Sequence, residues 1–298
     1  MIYRITHVNT YRYSEPVTSC QNLAHLSPRE TPRQTSLQSQ ILVQPSPAVM
    51  SSRQDYFGNP VSYFAVQEPH RSLTVTATSQ VQLRPEPTPE PALTPPWDDL
   101  ACLRPRPGSP EDVEASPFRF DSQYVERHAD LASYARPSFL PGRPILDAVL
   151  DFTRRIHAEF RYDKTATTTA TPVLEVLRHR HGVCQDFAHL QIGGLRSLGI
   201  SARYVSGYLL TTPPPGLPRL LGADASHAWV SFYCPGFGWI DIDPTNNAIP
   251  GDRHITFAWG RDYDDVCPLK GVILGGGKQV VDVGVSVVPV DAAEKDDA

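Results

Sequence analysis

Long apolar runs are missing from this sequence of 298 residues. No window approaches the roughly 18 apolar residues that a membrane-spanning helix needs, so we expect no membrane association. The first residues, MIYRITHVNTYRY, alternate in polarity like a strand and lack the apolar core of a secretory signal. These absences predict a cytoplasmic protein.

Cysteine is scarce as well, and its five residues are too widely spaced for a disulfide framework or a C-x-x-C zinc site. Free thiols fit a reducing cytoplasm. The net charge of -5 is spread over both signs with no polybasic block, which argues against nucleic acid as a partner. We therefore predict neither a bound metal nor another cofactor.

The distribution of strand formers, prolines and helical periodicity divides the chain into four regions. Residues 1–83 contain short Thr-, Val- and Tyr-rich runs separated by turns such as FGNP, which is typical of an all-β, sandwich-like domain. Residues 84–117 are dense in proline, which excludes long helices, so they are predicted to form an extended connector. Residues 118–290 should form a second domain, and residues 291–298 a flexible tail.

The second domain begins with helical periodicity and ends with strand alternation. Its last helical segment, CQDFAHLQIGGLRSLG, places Phe187, Leu190 and Leu198 on one stripe, with Gly199 as C-cap. The helix before it should be closed by Gly182. Five strand candidates follow and predict an antiparallel sheet: ISARYVSGYLL, SHAWVSFYC, GWIDID, HITFAWG and VVDVGVSVV. Helices followed by such a sheet indicate an α+β fold.

Cys184 stands in the first turn of that last helix, where unpaired N–H groups and the macrodipole stabilise a thiolate. Cys184 could be a nucleophile, a metal ligand or a small buried side chain, but its spacing from the nearby histidines suits no structural zinc site. A nucleophile needs a base within hydrogen-bond reach. His189 is rotated about 140° away on the same helix. Since His179 and His181 have no acid nearby on a rigid element, we interpret all three histidines as surface or packing residues.

The hairpin SHAWVSFYCPGFGWIDIDPT offers a better base, His227. If PGF forms a three-residue loop, Cys234 pairs with Gly238, and His227 and Asp243 become diagonal neighbours on one face. Asp241 shares that face but lies farther from His227. A four-residue loop would turn both aspartates to the other face.

Several sequence blocks together resemble the bacterial transglutaminase-like superfamily, whose core is related to papain. In the second domain these blocks are GVCQDFAHL, LRSLGISARYVSGYL, SHAWVSFYCPGFGWIDIDPTNN and ITFAWGRDYDDVCPLKGV. Near the N-terminus, YRITHVNTYRYSEPV, LSPRE and DYFGNPVSYFAV resemble the β-rich domain that precedes this core in one bacterial subfamily. The resemblance implies a papain/transglutaminase-like core preceded by an all-β N-terminal domain.

The resemblance also implies a catalytic triad of Cys184, His227 and Asp243, and all three residues are present. His227 would take the thiol proton, Asp243 would fix the imidazole tautomer, and the thiolate would attack a carboxamide to give a thioester. The backbone N–H of Cys184 is expected to serve the oxyanion hole. Tyr162 is a second donor by family analogy, or else a packing residue.

Four residues near the triad have less specific interpretations. Gln185 and Asp186 fit the role of helix caps, because an acid in the first turn complements the dipole. Trp229 either walls the cleft or packs the sheet, and Asn246 could steady the end of the catalytic strand. The acids of GRDYDDV suggest a solvated loop or partners for arginines rather than a calcium site.

The leading hypothesis is a cysteine-dependent hydrolase of peptide or amide bonds, with a peptide or protein amide as substrate. A glutamine acyltransferase (a crosslinking transglutaminase) or a deamidase shares the acylation half-reaction and is the alternative. A binding scaffold that keeps the fold without turnover is a third reading, against which the intact triad argues.

Overall fold

The computed structural model describes residues 1–84, 86–99, 110–210 and 226–290. Within these ranges the strands are β1 (Ile2–Ala24), β2 (Gln34–Gln44), β3 (Val49–Gln54), β4 (Pro60–Val66), β5 (His70–Leu83), β6 (Arg161–Tyr162), β7 (His181–Gly182), β8 (Ala202–Leu209), β9 (Ser226–Cys234), β10 (Gly238–Ile242), β11 (His254–Gly260), β12 (Leu269–Gly275) and β13 (Gln279–Pro289). The helices are α1 (Pro110–Ala115), α2 (Ala129–Ala135), α3 (Ile145–Glu159), α4 (Val173–His179), α5 (Cys184–Ser197) and α6 (Tyr263–Val266), with 3-10 turns at Pro91–Leu93, Ser116–Arg119 and Arg136–Ser138. A strand-rich N-terminal part and a helix-and-sheet part confirm the predicted α+β fold.

The N-terminal sheet is organised around β1, a strand of 23 residues. The order β2-β5-β1-β4-β3 runs across it, and all pairings are antiparallel. Tyr3 and Ile5 are buried while Arg4 between them is exposed, as expected for a strand with one face in a core.

The last two strands, β12 and β13, also belong to the N-terminal sheet, because both pair with β1. The sequence pattern places VVDVGVSVV in the antiparallel sheet of the second domain, which was predicted to end at residue 290. The strand is confirmed, but its assignment to that sheet is wrong. The first half of β1 lies between β5 and β13, and its second half lies between β4 and β12. The C-terminal strands thus cover an edge of β1 that would otherwise leave its N–H and C=O groups unpaired.

The second core is formed by the helices and a four-stranded antiparallel sheet of order β10-β9-β8-β11. Helix α5 packs against β8 and β9, and Phe187, Leu190 and Leu195 are buried in this contact. The helix is followed by Gly199 at φ 88°, a left-handed conformation that favours glycine, in agreement with the predicted C-cap. This packing fixes the N-terminus of α5, and therefore Cys184, at one end of the sheet.

The segment before α5 differs from the sequence prediction. Helix α4 ends at His179 and is followed by Arg180 in the left-handed region, so Gly182 does not close it. Gly182 instead pairs with Tyr162 in the short parallel ladder of β6 and β7. A Cβ atom at Gly182 would lie 2.6 Å from Oδ2 of Asp186, so the close approach of this carboxylate requires glycine there.

The described part of the proline-rich connector packs against the helical core. Trp97 is buried and donates from Nε1 to the carbonyl of Leu140 at 2.8 Å. Thr94 Oγ1 accepts from the N–H of Leu146 in the first turn of α3. This part of the connector is therefore packed against the helical core. The predicted tail at 291–298 and the stretch 100–109 lie outside the described residues.

The two sheets meet through a shared apolar core. Its buried members are Tyr3, Ile5, Val81, Leu83, Tyr208, Ile255, Phe257, Val285 and Val287. Among the helices of the described ranges, none has the length and hydropathy that a membrane span requires.

Candidate active site

The β9–β10 hairpin has the register that the sequence predicts, because Cys234 pairs with Gly238 across a three-residue loop. This register brings Nε2 of His227 to 2.7 Å from Oδ2 of Asp243. Asp241 takes a different partner and accepts a hydrogen bond from the indole of Trp229 at 3.1 Å. The hairpin therefore selects Asp243 as the carboxylate beside the imidazole.

The thiol of Cys184 is the second partner of His227. Since Nε2 is engaged by Asp243, Nδ1 is the ring nitrogen left for the sulfur. Burial alone would lower the pKa of His227, but hydrogen bonds with Asp243 and Cys184 outweigh it and raise this pKa to about 10. At neutral pH the ring is therefore an imidazolium placed between a sulfur and a carboxylate.

The turn after β10 fixes the carboxylate of Asp243, which is completely buried. Its Oδ1 accepts from the backbone N–H groups of Thr245 at 2.9 Å and Asn246 at 3.2 Å. The amide of Asn246 donates to Oδ2 at 2.7 Å. Burial acts to raise the pKa of Asp243, but hydrogen bonds led by those from His227 and His254 hold it well below its usual range.

His254, which was not predicted to belong to the site, provides a second imidazole to Asp243. Its Nε2 lies 3.0 Å from Oδ2. Burial lowers the pKa of His254 despite this carboxylate, so the ring is neutral and donates from Nε2. No local signal identifies it, because β11 pairs with β8 rather than with the β9–β10 hairpin, and the register between distant strands is not readable from HITFAWG.

His227, Asp243 and His254 are also the groups in the described ranges that could hold a metal ion, since their ligand atoms lie within 4.8 Å of one another. The same atoms, however, form the hydrogen bonds of the cluster. A metal would have to displace the proton of His227, whose raised pKa opposes this. The atoms that could bind a metal are thus already joined by hydrogen bonds. We therefore still predict that the site binds no metal.

Gln185 and Asp186, which follow Cys184, fix the start of α5 by hydrogen bonds. Asp186 Oδ2 accepts from the N–H of Val183 at 2.8 Å and from Thr167 Oγ1 at 2.6 Å, which caps α5. Burial raises the pKa of Asp186. The amide of Gln185 donates to the carbonyl of Thr169 at 3.1 Å. Both side chains tie the loop before α4 to the helix that presents the sulfur.

Tyr162 lies in β6 and pairs with Gly182, two residues before Cys184. Its side chain is 47% exposed, and its ring contacts the edge of Phe187 at a centroid distance of 6.4 Å. Burial, followed by the nearby charge of Cys184, raises the pKa of Tyr162. Its part in an oxyanion hole, together with the N–H of Cys184 at the helix start, stays a prediction.

Trp229 packs behind the two histidines and does not wall a cleft. It is completely buried, with ring centroids 6.1 Å from His227 and 5.3 Å from His254. Gly207 on the neighbouring strand makes room for it, because a Cβ atom there would lie 2.6 Å from the indole and 2.1 Å from the carbonyl oxygen of Ile255.

His179, His181 and His189, which we predicted to be surface or packing residues, have no contact with the His227–Asp243 pair. His189 is buried, and its ring stacks on Tyr124 while burial lowers its pKa to about 3. The rings of His179 and His181 stack on each other at 5.8 Å.

The acids of GRDYDDV are paired with protein groups rather than gathered around a cation site. Asp262 accepts from the N–H of Tyr124, Asp265 binds the guanidinium of Arg261, and Asp264 pairs with Lys270.

A buried core helix that begins with a cysteine, beside a sheet that carries a His–Asp pair, defines the transglutaminase-like class of cysteine-enzyme folds. Residues 133–244 match the transglutaminase-like superfamily, and residues 3–82 match the bacterial transglutaminase-like N-terminal region. The chain belongs to the bacterial transglutaminase-like superfamily.

Three relatives are similar to this chain over part or nearly all of its length. An uncharacterized protein of Mycobacterium tuberculosis is 44% identical over 298 residues, covering 97% of this chain and 93% of the relative. One of Mycobacterium leprae is 33% identical over 293 residues, with coverage of 95% and 97%. A protein-glutamine gamma-glutamyltransferase of Pseudomonas aeruginosa is 30% identical over 128 residues, 37% of this chain and 19% of that protein.

The fold is shared with a crystal structure of a candidate cysteine protease from Cytophaga hutchinsonii. The two superpose with a TM-score of 0.76 at 23% identity, covering 98% of this chain and 91% of the other. At this identity the likeness establishes the architecture of both sheets and of the helical core.

Proposed function

We propose that this chain is a cysteine-dependent hydrolase of amide or peptide bonds, acting on a peptide or protein substrate. The observation that carries the proposal is the position of His227, which is hydrogen-bonded to the buried carboxylate of Asp243 and close enough to Cys184 for the sulfur to raise its pKa. A thiol at a helix start, an imidazolium beside it and a buried carboxylate behind the ring are the groups that nucleophilic acyl transfer needs.

The acylation step follows from these positions. The thiolate of Cys184 attacks the carbonyl carbon, and the oxygen takes the negative charge near the N–H groups at the start of α5. His227 donates its Nδ1 proton to the departing nitrogen, the C–N bond breaks, and a thioester remains. Asp243 holds the ring by its Nε2–H throughout and remains a carboxylate.

Deacylation reverses the proton path. His227, now neutral, takes a proton from water as the water oxygen attacks the thioester carbon. The C–S bond breaks, the acid product leaves, and the thiolate–imidazolium pair is restored. Replacing water by a primary amine would give a new amide bond through the same steps.

The second candidate function is glutamine acyl transfer. The similarity over 128 residues to a protein-glutamine gamma-glutamyltransferase favours it. Both candidates share the acylation half, so the residues of the triad have the same roles in each.

A glutamine-containing peptide library, incubated with and without a primary amine and analysed by mass spectrometry, tests the proposal. We expect cleaved or deamidated peptides whose yield does not depend on the amine. Products that carry the amine would assign the transferase instead. Cys184→Ala should abolish all products, while Cys267→Ala, a control at another half-buried thiol, should not. Absence of any product with the wild type would favour a binding scaffold.

We also propose the cytoplasm as its compartment. Cys20, Cys184 and Cys267 are free thiols, which suits a reducing environment. We propose neither nucleic acid nor a membrane as partner, since the net charge is -5.

A further inference from the structure

A cavity of about 1080 Å³ lies between the N-terminal domain and the sheet of the second core. We refer to it as the interdomain cavity. Ala202 and Tyr204 pack in the core with α5, so Arg203 between them points to the opposite face of β8 and lines the cavity. Neither Cys184 nor His227 lines it, which separates it from the candidate active site.

Two guanidinium groups and two indole rings alternate along one wall of the interdomain cavity. Arg203 Cζ lies 4.1 Å from the ring centroid of Trp239 and 3.7 Å from that of Trp259. On the far side of Trp259, Arg29 Cζ lies 3.5 Å from the same ring. Such stacking holds a guanidinium by its flat faces and leaves the N–H donors at its edge available.

A buried turn of the N-terminal domain fixes this arrangement. Asn59 is completely buried and accepts from Arg29 Nη1 at 2.8 Å. The same side chain accepts from the N–H of Trp259 at 2.9 Å and donates to its carbonyl at 2.8 Å. One asparagine therefore positions both a guanidinium and an indole of the wall.

Within the part of the chain that the structure describes, the guanidinium of Arg203 lacks a polar partner. Arg203 is only 7% exposed, and it forms no hydrogen bond or ion pair with another residue of the described ranges. Nε of Arg203 and Nε of Arg29 are both buried donors without an acceptor there. Burial lowers the pKa of Arg203 to about 9. Buried charges in proteins are normally paired. A bound anion would therefore provide the partner that the guanidinium of Arg203 lacks in the described ranges.

Among the side chains that the structure describes, the acids near the cavity do not form an ion pair with Arg203. Asp241 accepts from Trp229 Nε1 at 3.1 Å, and its charge raises the pKa of Arg203 without forming one of the ion pairs of the described ranges. Glu86 and Glu114 line the cavity but are exposed to solvent. The remaining cation of the lining, Arg33, donates to the backbone carbonyls of Pro250 and His254.

We infer that the interdomain cavity binds a small anionic ligand with a planar apolar body, whose carboxylate or phosphate group pairs with Arg203 and Arg29. Arginine matches both kinds of anion through paired N–H donors. The rings of Phe57, Phe118 and Trp239 follow one another at centroid distances of 5.5 and 5.1 Å and offer the surface for the body. The volume is of the order found for sites of small molecules, about 300–1000 Å³.

Fluorescence titration of the full chain tests this inference, because Trp239 and Trp259 are two of its four tryptophans. Phenyl phosphate and benzoate serve as probes that separate the two anions, and benzyl alcohol is the neutral control. We expect a saturable change with at least one anion at millimolar concentration and none with the alcohol. Arg29→Gln should weaken binding roughly tenfold, and Arg203→Gln should abolish it.

The matched control is Arg12→Gln, which removes an exposed arginine of β1 that pairs with Asp282. Its affinity should equal that of the wild type. No saturable response to either anion would overturn the inference, and so would equal affinities in the wild type and Arg29→Gln. The Arg29 variant keeps the test valid even if the Arg203 variant fails to fold. Binding is measured without turnover, so its failure leaves the proposed hydrolase untouched.

Discussion

Replacing Asp243 by asparagine removes one charge from the centre of the candidate site. The carboxylate is completely buried, and its Oδ2 lies 2.7 Å from His227 Nε2, 3.0 Å from His254 Nε2 and 2.7 Å from the amide of Asn246. An asparagine has a single acceptor oxygen, and its NH2 group would face donors. Either the imidazoles at Oδ2 or the backbone N–H groups of Thr245 and Asn246 at Oδ1 must therefore lose their acceptor.

The size of the effect follows from this geometry. Asp243 provides the largest influence that raises the pKa of His227, so without it this pKa should fall. Removing one partner of a buried ion pair costs roughly 3–5 kcal/mol in the free energy of unfolding. Loss of the carboxylate behind a catalytic histidine lowers kcat by about 10⁴-fold. We expect both effects in Asp243→Asn.

The pH dependence of stability has a definite sign. The folded-state pKa of His227, about 10, lies above its ordinary value of 6.5, so its pairing stabilises the fold fully below 6.5 and is lost as the pH rises towards 10. The pKa of Asp243 is depressed, so its contribution is present above 3.8 and is lost as the pH falls below that value.

Urea unfolding from about pH 6 to about pH 10 measures this difference. The wild type should lose stability across the range through His227, while the asparagine variant should lack that contribution and change less. Product formation at pH 7 gives kcat for both proteins. If Asp243→Asn unfolds at the wild-type urea concentration and keeps wild-type kcat, the proposed electrostatics of the pair are refuted.

Three further substitutions probe the surroundings of the pair. His254→Ala removes a donor to Asp243 and should lower kcat about tenfold or more, whereas His254→Gln should recover part of the rate; equal rates in the two variants would contradict a role as donor. Tyr162→Phe should lower kcat by about 10² with little change in KM if the hydroxyl serves the oxyanion, and an unchanged kcat would make Tyr162 a packing residue. Gly207→Ala should destabilise the fold by about 1–3 kcal/mol in urea unfolding, because the new Cβ would lie 2.1 Å from a backbone oxygen. Gly251→Ala is its control, since nothing lies within 4 Å there, and equal stability of the two variants would contradict the packing argument.

The His–Asp contact could be predicted from sequence because a short loop sets the register of a hairpin. PGF fixes the pairing of β9 with β10, and alternation then places His227 and Asp243 on one face. The approach of Cys184 to His227 joins a helix start to a distant strand, and no local rule sets it. The family resemblance supplied that link.

Other features depend on which sheet a strand joins, and the alternation of polar and apolar residues does not determine this. β13 has the polarity of a half-buried strand in either sheet, and only its pairing with β1 decides its place. For the same reason His254 could not be assigned to the site, since the register of β11 is set by β8. Arg203 and Trp259 likewise meet across two strands.

Alkylation of the individual cysteines by iodoacetamide, followed by mass spectrometry over a range of pH, tests the central claim most directly. Cys184 should react fastest, and Cys267, another half-buried thiol that donates to Tyr263, should react slowly. In His227→Ala the pH midpoint of the Cys184 reaction should move upward, because the imidazolium that stabilises the thiolate is gone. Uniformly slow labelling, or a Cys184 midpoint that is the same with and without His227, would contradict the account.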